Sequence, residues 1–505
     1  MKRDLLPFLA DHAARVPAHR PWPRHLLDHD GWLGLIGQLE SADWSLVGLW
    51  GEPGMIHLAL RDGGDIAVAS LACLQQSYPA VSGCRPAAAR LERVARDLFG
   101  LEAEGAADRR PWLDHGRWTA GAPPGRAGAG QGLANADYPF LPAEAHGAAL
   151  HQIPVGPVHA GIIEPGHFRF HANGETVVRL EARLGFVHKG TEALMLGKTP
   201  PDAARLASRI SGDSAVAHSL AFARAVEAAL EIEAPPRAHW LRAIMAELER
   251  LANHFGDIGA ICNDATFPLL LAHFSSLREQ VLRAAGECFG HRLMMDRVLP
   301  GGVALDLDAG GAGRLTELAR RLQPRLAELV SVYETKPSLL DRTVMTGLVK
   351  PELVHRFGAG GYVGRASGRG QDARRNPGYP PYDDIDFPVP VLNEGDVNAR
   401  IAIRMQEAAA SLDLVERLVG ELPGGDVRIG LPMRGGEGLA LVESFRGEIM
   451  TWVRLDPDGR IERCHPRDPS WFQWPLPEAA IEGNIVADFP LCNKSFNCAY
   501  SGQDL

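Results

Sequence analysis

The chain has 505 residues, 46% hydrophobic and 23% charged, with a net charge of −10 at neutral pH; that leaves room for more than one domain and a large core, and no basic field to draw nucleic acid. No stretch approaches the roughly eighteen uninterrupted apolar residues of a membrane span, and the first twenty residues lack the apolar core and cleavage site of a secretory signal, so a cytoplasmic protein is expected, held at a membrane only by other chains. The seven cysteines (Cys73, Cys84, Cys262, Cys288, Cys464, Cys492 and Cys498) are scattered without a C-x-x-C pair, which argues against a disulfide framework, a zinc ribbon or an iron–sulfur cluster held by this chain alone.

Residues 1–118 read as a small α/β unit. Trp44 to Trp50, Ile56 to Leu60 and Ile66 to Leu74 are short apolar runs divided by Gly-Glu-Pro-Gly and Asp-Gly-Gly, the pattern of hairpin strands. An amphipathic helix follows over Leu91 to Glu102, with Gly100 as its stop signal. Together with Asp108 and Arg110 it spells E-R-x-x-x-D-L-F-G-x-x-x-x-G-x-x-D-x-R, which resembles the signature of the 30-kDa subunit of respiratory complex I. From Thr119 the composition turns to Gly, Ala and Pro, too poor in apolar side chains to order itself, so 119–140 is expected to be a flexible linker.

The next block runs Gly156-Pro157-Val158-His159-Ala160-Gly161-Ile162-Ile163-Glu164-Pro165-Gly166-His167-Phe168-Arg169-Phe170. It continues through a strand–turn–strand around His171 to Glu175 and reaches His188-Lys189-Gly190-Thr191-Glu192. Glycines, histidines and a carboxylate at these intervals resemble the large subunit of the group 4, membrane-bound NiFe hydrogenases. Read from the residues, Glu164 beside His167 and Arg169 is either a satisfied loop network or a proton-handling pair, since histidine titrates near neutrality; the resemblance favours proton transfer at Glu164.

Pro201 to Glu233 reads as helix interrupted by Arg209-Ile210-Ser211-Gly212-Asp213-Ser214. A second helix from Arg237 to about Ala260 carries Glu247, Arg250, His254 and Asp257 at steps of three and four, which sets them in one row. Trp240, Leu241, Ile244, Leu248 and Leu251 flank that row. If the helix is buried, its charges must pair or shift their pKa values; the alternative is a solvated, salt-bridged face. This helix is similar to one shared by hydrogenase large subunits and the 49-kDa subunit of complex I. Arg278-Glu279, Gly290-x-Arg292 and Pro300-Gly301-Gly302-Val303 continue the resemblance, as does Glu443-Ser444-Phe445-Arg446-Gly447-Glu448. Helices are expected over Leu315 to Tyr333 and Asp396 to Leu422, and a β-hairpin over Ile449 to Cys464. The glycines at 364 to 370 lack the G-K-[ST] of a phosphate loop.

The resemblance covers most of the chain and implies an α+β fold: a 30-kDa-like domain over 1–118, then over 141–505 a domain like the hydrogenase large subunit, with a helical-bundle core and flanking β-hairpins. It implies metal-ligand positions at 211, 214, 499 and 502, occupied here by Ser211, Ser214, Ala499 and Gly502, so no metal is expected in this chain. Quinone-reducing relatives carry a tyrosine where Pro200 follows Lys198-Thr199, which leaves a pocket remodelled around His159, His167 and Arg209 as the place for a quinone-like ring. Ser211 and Ser214 would line the same cavity. Further implied are a partner Fe–S subunit, antiporter-like integral membrane subunits, a peripheral place on the cytoplasmic face of the inner membrane, and oxidoreductase chemistry of the hydrogenase or NADH-quinone type. Catalytic candidates are Glu164, His167, Arg169, Arg209, Glu247, Arg250, His254 and Asp257. The alternatives are a non-catalytic scaffold and an atypical hydrogenase.

Overall fold

The computed structural model describes residues 4–116, 138–140 and 150–505, so the linker expected over 119–140 lies almost wholly outside the described residues. The fold is α+β. A five-stranded sheet of Ser45–Glu52, Met55–Asp62, Asp65–Ala72, Arg24–Leu27 and Ala14–Val16 forms the N-terminal unit, with helices Leu5–His12, His29–Ser41 and Ala89–Phe99 against it. A second sheet orders Ile461–Arg467, Glu448–Leu455 and Gly436–Glu443, and His19–Arg20 joins its edge in parallel. Between the sheets lies an apolar layer in which Val47, Trp50, Ala59 and Val68 meet Leu439, Leu441, Met450 and Trp452. The bidentate pair Arg24–Glu437, at 2.9 Å on both arms, the Arg454–Glu52 pair, and a contact of Arg61 with Glu448 cross the same seam.

The N-terminal signature acts as a set of fasteners. Gly100 closes the Ala89–Phe99 helix in the left-handed region, at φ 70°. Glu92 accepts from the Val81 and Ser82 N–H groups at 2.6 and 3.2 Å, Arg93 holds Asp108 and the Arg110 carbonyl, and Asp97 accepts from the Trp112 and Leu113 N–H groups.

The larger region is built on helices Pro236–Asp264, Pro268–Phe289, Ala309–Glu334 and Val397–Gly420, which share a second apolar core. The helix break expected at Ser211 to Ser214 is real: Pro200–Ala207 ends, a short 3-10 turn spans Gly212–Ser214, and Ala215–Ala229 begins. That last helix lies so close on Gly436–Glu443 that a Cβ at Gly438 would sit 1.9 Å from the Ala225 carbonyl oxygen. Only glycine permits this approach. The hairpin at His171 differs slightly from expectation: the strand His167–Asn173 continues past His171, and the turn is confined to Gly174 and Glu175. No helix among the described residues is long and apolar enough to cross a membrane.

Candidate functional site

Two polar regions meet where the Pro236–Asp264 helix passes the loop at 211–214. In the first, Ser211 donates to Asp213 Oδ1 at 2.6 Å and Ser214 to the same oxygen at 3.3 Å. Arg446 donates to Asp213 Oδ2 at 2.5 Å, to Ser214 Oγ at 3.2 Å and to the Asn497 carbonyl at 2.6 Å, which ties this loop to the C-terminal segment. On the far side His218 Nε2 lies 3.0 Å from Asp468 Oδ2. That carboxylate fills the space a side chain at Gly502 would need: a Cβ there would meet Asp468 Oδ2 at 2.6 Å and the Ala499 methyl at 3.1 Å. Burial alone would raise the Asp468 pKa, but His218 and Arg446 hold it well below the usual carboxylate range. Cys498 is buried and its thiol is pushed up to about 12 by burial. Among the described residues no three His, Cys, Asp or Glu side chains group so as to share a metal ion.

The second region is the row on the long helix, and it is buried rather than solvated. Glu247, Arg250 and His254 are at most 1% exposed, and Asp257 is 9% exposed. Glu247 receives Arg374 at 3.0 Å and the Tyr382 and Ser411 hydroxyls at 2.6 Å each. Arg250 donates to the Glu443 and Ser444 carbonyls at 3.0 and 3.1 Å. His254 Nε2 lies 2.8 Å from Glu407 Oε2, whose other oxygen accepts from Arg365 at 2.6 Å. Arg365 also reaches Glu443 at 2.9 Å, and Asp257 pairs with Arg404 at 3.1 Å. Burial works against the charge on Glu407, yet Arg365 and His254 depress its pKa strongly. Glu443 moves the other way, to about 7, through burial and the nearby Asp372 carboxylate.

The loop candidates do not form one cluster. Glu164 accepts from the Ser501 N–H at 2.8 Å and makes no hydrogen bond with His167. His167 and Arg169 instead share a strand face: His167 Nδ1 lies 3.3 Å from the Gly156 carbonyl, and the Arg169 guanidinium sits 4.1 Å over Phe140. Burial lowers the His167 pKa. His159 approaches the Tyr500 hydroxyl at 3.3 Å, and Arg209 points to the surface in a pair with Asp296 at 2.5 and 2.8 Å. The connection from Glu164 to the pocket is Lys189. Its ammonium donates to the carbonyls of Ile210 at 3.0 Å and Ser501 at 3.3 Å, beside two of the four implied ligand positions. Its pKa is lowered by burial and partly restored by the Glu164 charge.

Lys189, Asp213, His218, Arg365, Glu407 and Asp468 are thus site residues absent from the sequence candidates. Lys189 and Asp213 stood inside motifs already singled out. His218 and Asp468 carried no signal, because 250 residues separate them.

A model of the nickel-dependent hydrogenase family matches residues 189–256, and a model of the 49-kDa subunit of the respiratory-chain NADH dehydrogenase matches residues 265–434. The carbon monoxide-induced hydrogenase of Rhodospirillum rubrum is 31% identical over 69% of this chain and 98% of its own length. A chain of the NADH-quinone oxidoreductase of Desulfotalea psychrophila is 31% identical over 66% of this chain and 91% of its own length. A chain of the membrane-bound sulfane sulfur reductase, an archaeal respiratory membrane complex, shares the fold at a TM-score of 0.67 and 24% identity, over 71% of this chain and 99% of its own. The chain belongs to the oxidoreductase family that unites the large subunits of membrane-bound hydrogenases with the 49-kDa subunits of the NADH-quinone oxidoreductases.

Proposed function

We propose that this chain is the large subunit of a membrane-associated respiratory oxidoreductase complex and works without a nickel–iron centre of its own, passing electrons to a quinone-like acceptor and coupling that transfer to proton or ion movement. The observation that carries this reading is the donor set. Two hydroxyls, a methyl and a hydrogen stand at the four implied ligand positions, and the Asp468 carboxylate fills the space at Gly502. Such a set does not suit metals that select soft thiolates, so the residues present do not fit the group.

What remains is a protonatable pocket. Arg446 and His218 hold Asp213 and Asp468, Lys189 bridges the carbonyls of Ile210 and Ser501, and Glu164 stands at the edge. The cavity touching Asp213 has a volume of about 160 Å³, below the roughly 300–1,000 Å³ of small-molecule sites. That cavity cannot hold a ring acceptor, and we place the acceptor outside it, at a face shared with a neighbouring subunit. An Fe–S partner would deliver electrons there, and antiporter-like integral membrane subunits would hold the chain on the cytoplasmic face of the inner membrane.

A scaffold role is the second reading, favoured by the lack of a hydrogen bond between Glu164 and His167. The intact complex purified from membranes separates the two. On the first reading nickel is absent, and electron flow to a soluble quinone falls in Glu164→Gln and His167→Ala. Unchanged flow in both variants supports the scaffold, and nickel in one-to-one amount overturns the first reading.

A further inference from the structure

One buried carboxyl near the pocket belongs neither to the charge array nor to the implied ligand positions. Glu249, 7% exposed, lies on the Pro236–Asp264 helix beside the row described above and faces the start of the Ala215–Ala229 helix. Its oxygens accept from the Val216 and Ala217 N–H groups at 2.7 and 3.1 Å. Among the described residues no cationic side chain is bonded to it. Asn253, one turn further on, donates to the Glu249 carbonyl at 2.8 Å and to the Asp213 carbonyl at 2.7 Å, which clamps the two acidic residues to one another's neighbourhood.

The cavity of about 160 Å³ is lined by both Asp213 and Glu249. Leu248, Val281, Leu282 and Leu293 supply apolar wall. Of the charged groups lining it, Arg278 is exposed on the Pro268–Phe289 helix and Arg292 is engaged with Glu279 at 2.7 Å; Arg250, next to Glu249 on the Pro236–Asp264 helix, points away toward the Glu443 and Ser444 carbonyls. Asp213 is held by Arg446. The volume exceeds the roughly 10–15 Å³ that one water needs.

We propose that this cavity is a proton inlet to the pocket and that the Glu249 carboxyl is the group exchanging protons with the water in it. A proton passes from that water to a Glu249 carboxylate oxygen and, on release, returns to water on the Asp213 side of the cavity, where that carboxylate stays ionised against Arg446. No electron moves and no co-reactant is consumed. Burial, reinforced by the Asp213 charge, pushes the Glu249 pKa up to about 8, so the group exchanges near neutral pH. The purpose assigned to the inlet rests on the coupling function above; its measurement does not.

Infrared spectra of the intact complex, titrated from about pH 6 to about pH 10, test it in the wild type, Glu249→Gln and Leu293→Trp. The glutamine keeps one carbonyl oxygen for the nearer Val216 N–H and loses the acceptor of the Ala217 N–H, and the tryptophan narrows the cavity from a half-buried position. The expected result is a protonated-carboxyl band titrating near pH 8 that is lost in Glu249→Gln and exchanges with deuterium more slowly in Leu293→Trp. A band that persists in Glu249→Gln overturns the assignment of the group, and wild-type exchange in Leu293→Trp overturns the inlet. Neither readout needs an electron acceptor, so a complex inactive toward quinones defeats the functional reading while leaving this result intact.

Discussion

The charge array around Glu407 and the pocket at Ser211 and Gly502 share the same helical core and both pair their carboxylates, yet only the array links those pairs into a continuous network. In the array each carboxylate meets a guanidinium or an imidazole at hydrogen-bond distance, as in Arg365–Glu407–His254 and Arg374–Glu247. In the pocket two carboxylates, Asp213 and Asp468, stand beside the four implied ligand positions, each bonded to one arginine or histidine, Arg446 and His218. The array resists change because every deletion strands a charge. In the pocket small residues and one inward-turned carboxylate fill the space instead.

The largest test of that contrast is Glu407→Leu. Losing one partner of a buried ion pair costs about 3–5 kcal/mol, and here Arg365 and His254 are both left without it. Denaturant unfolding of the purified chain should show that loss, and a change below about 1 kcal/mol would mean that the array is no more constrained than a surface network. Gly502→Cys comes next. A Cβ there would sit 2.6 Å from Asp468 Oδ2, so the carboxylate must move, at the roughly 1–3 kcal/mol typical of overpacking. Adding Ser211→Cys, Ser214→Cys and Ala499→Cys is expected to leave elemental nickel at background, since the displaced Asp468 carboxylate, bonded to His218, stays beside position 502; nickel bound by the fourfold variant would break the comparison.

A pH effect sharpens it. Asp504 accepts from the Gly185 and Val187 N–H groups, and burial moves its pKa from 3.8 to about 7. The folded value lies above the unfolded one, so the folded chain binds the proton more tightly. Its stabilising contribution is full below about pH 4 and is lost as pH rises to about 7. Thermal unfolding of Asp504→Asn across that window should therefore vary less with pH than the wild type. The smallest effect belongs to Arg209→Ala. Its pair with Asp296 is largely solvent-exposed, so stability should change by about 0–1 kcal/mol and electron flow to quinones should stay unchanged. A large drop in flow would return Arg209 to the pocket.

Local order was legible in the sequence. The helix break at Ser211, the row from Glu247 to Asp257 and the Gly100 stop follow from spacing and residue type, because helices and their ends are set by near neighbours. The row's partners were not legible. Glu407 lies 153 residues from His254 and Arg374 lies 127 residues from Glu247, and only tertiary packing brings them together. The loop misled in a related way. Glu164 and His167 are three residues apart, but the strand that begins at His167 turns its ring toward Phe140 while Glu164 caps the Ser501 N–H.

The seam between the two sheets has a practical consequence for anyone shortening this protein. Cutting the chain after the first hundred or so residues would strip a partner strand from the edge at Gly436–Glu443 and leave Leu439, Leu441, Met450 and Trp452 facing water, with Glu437 and Glu448 each short of an arginine. A fragment begun at residue 150 would expose an oily slab with an open rim, a surface prone to sticking to its own copies.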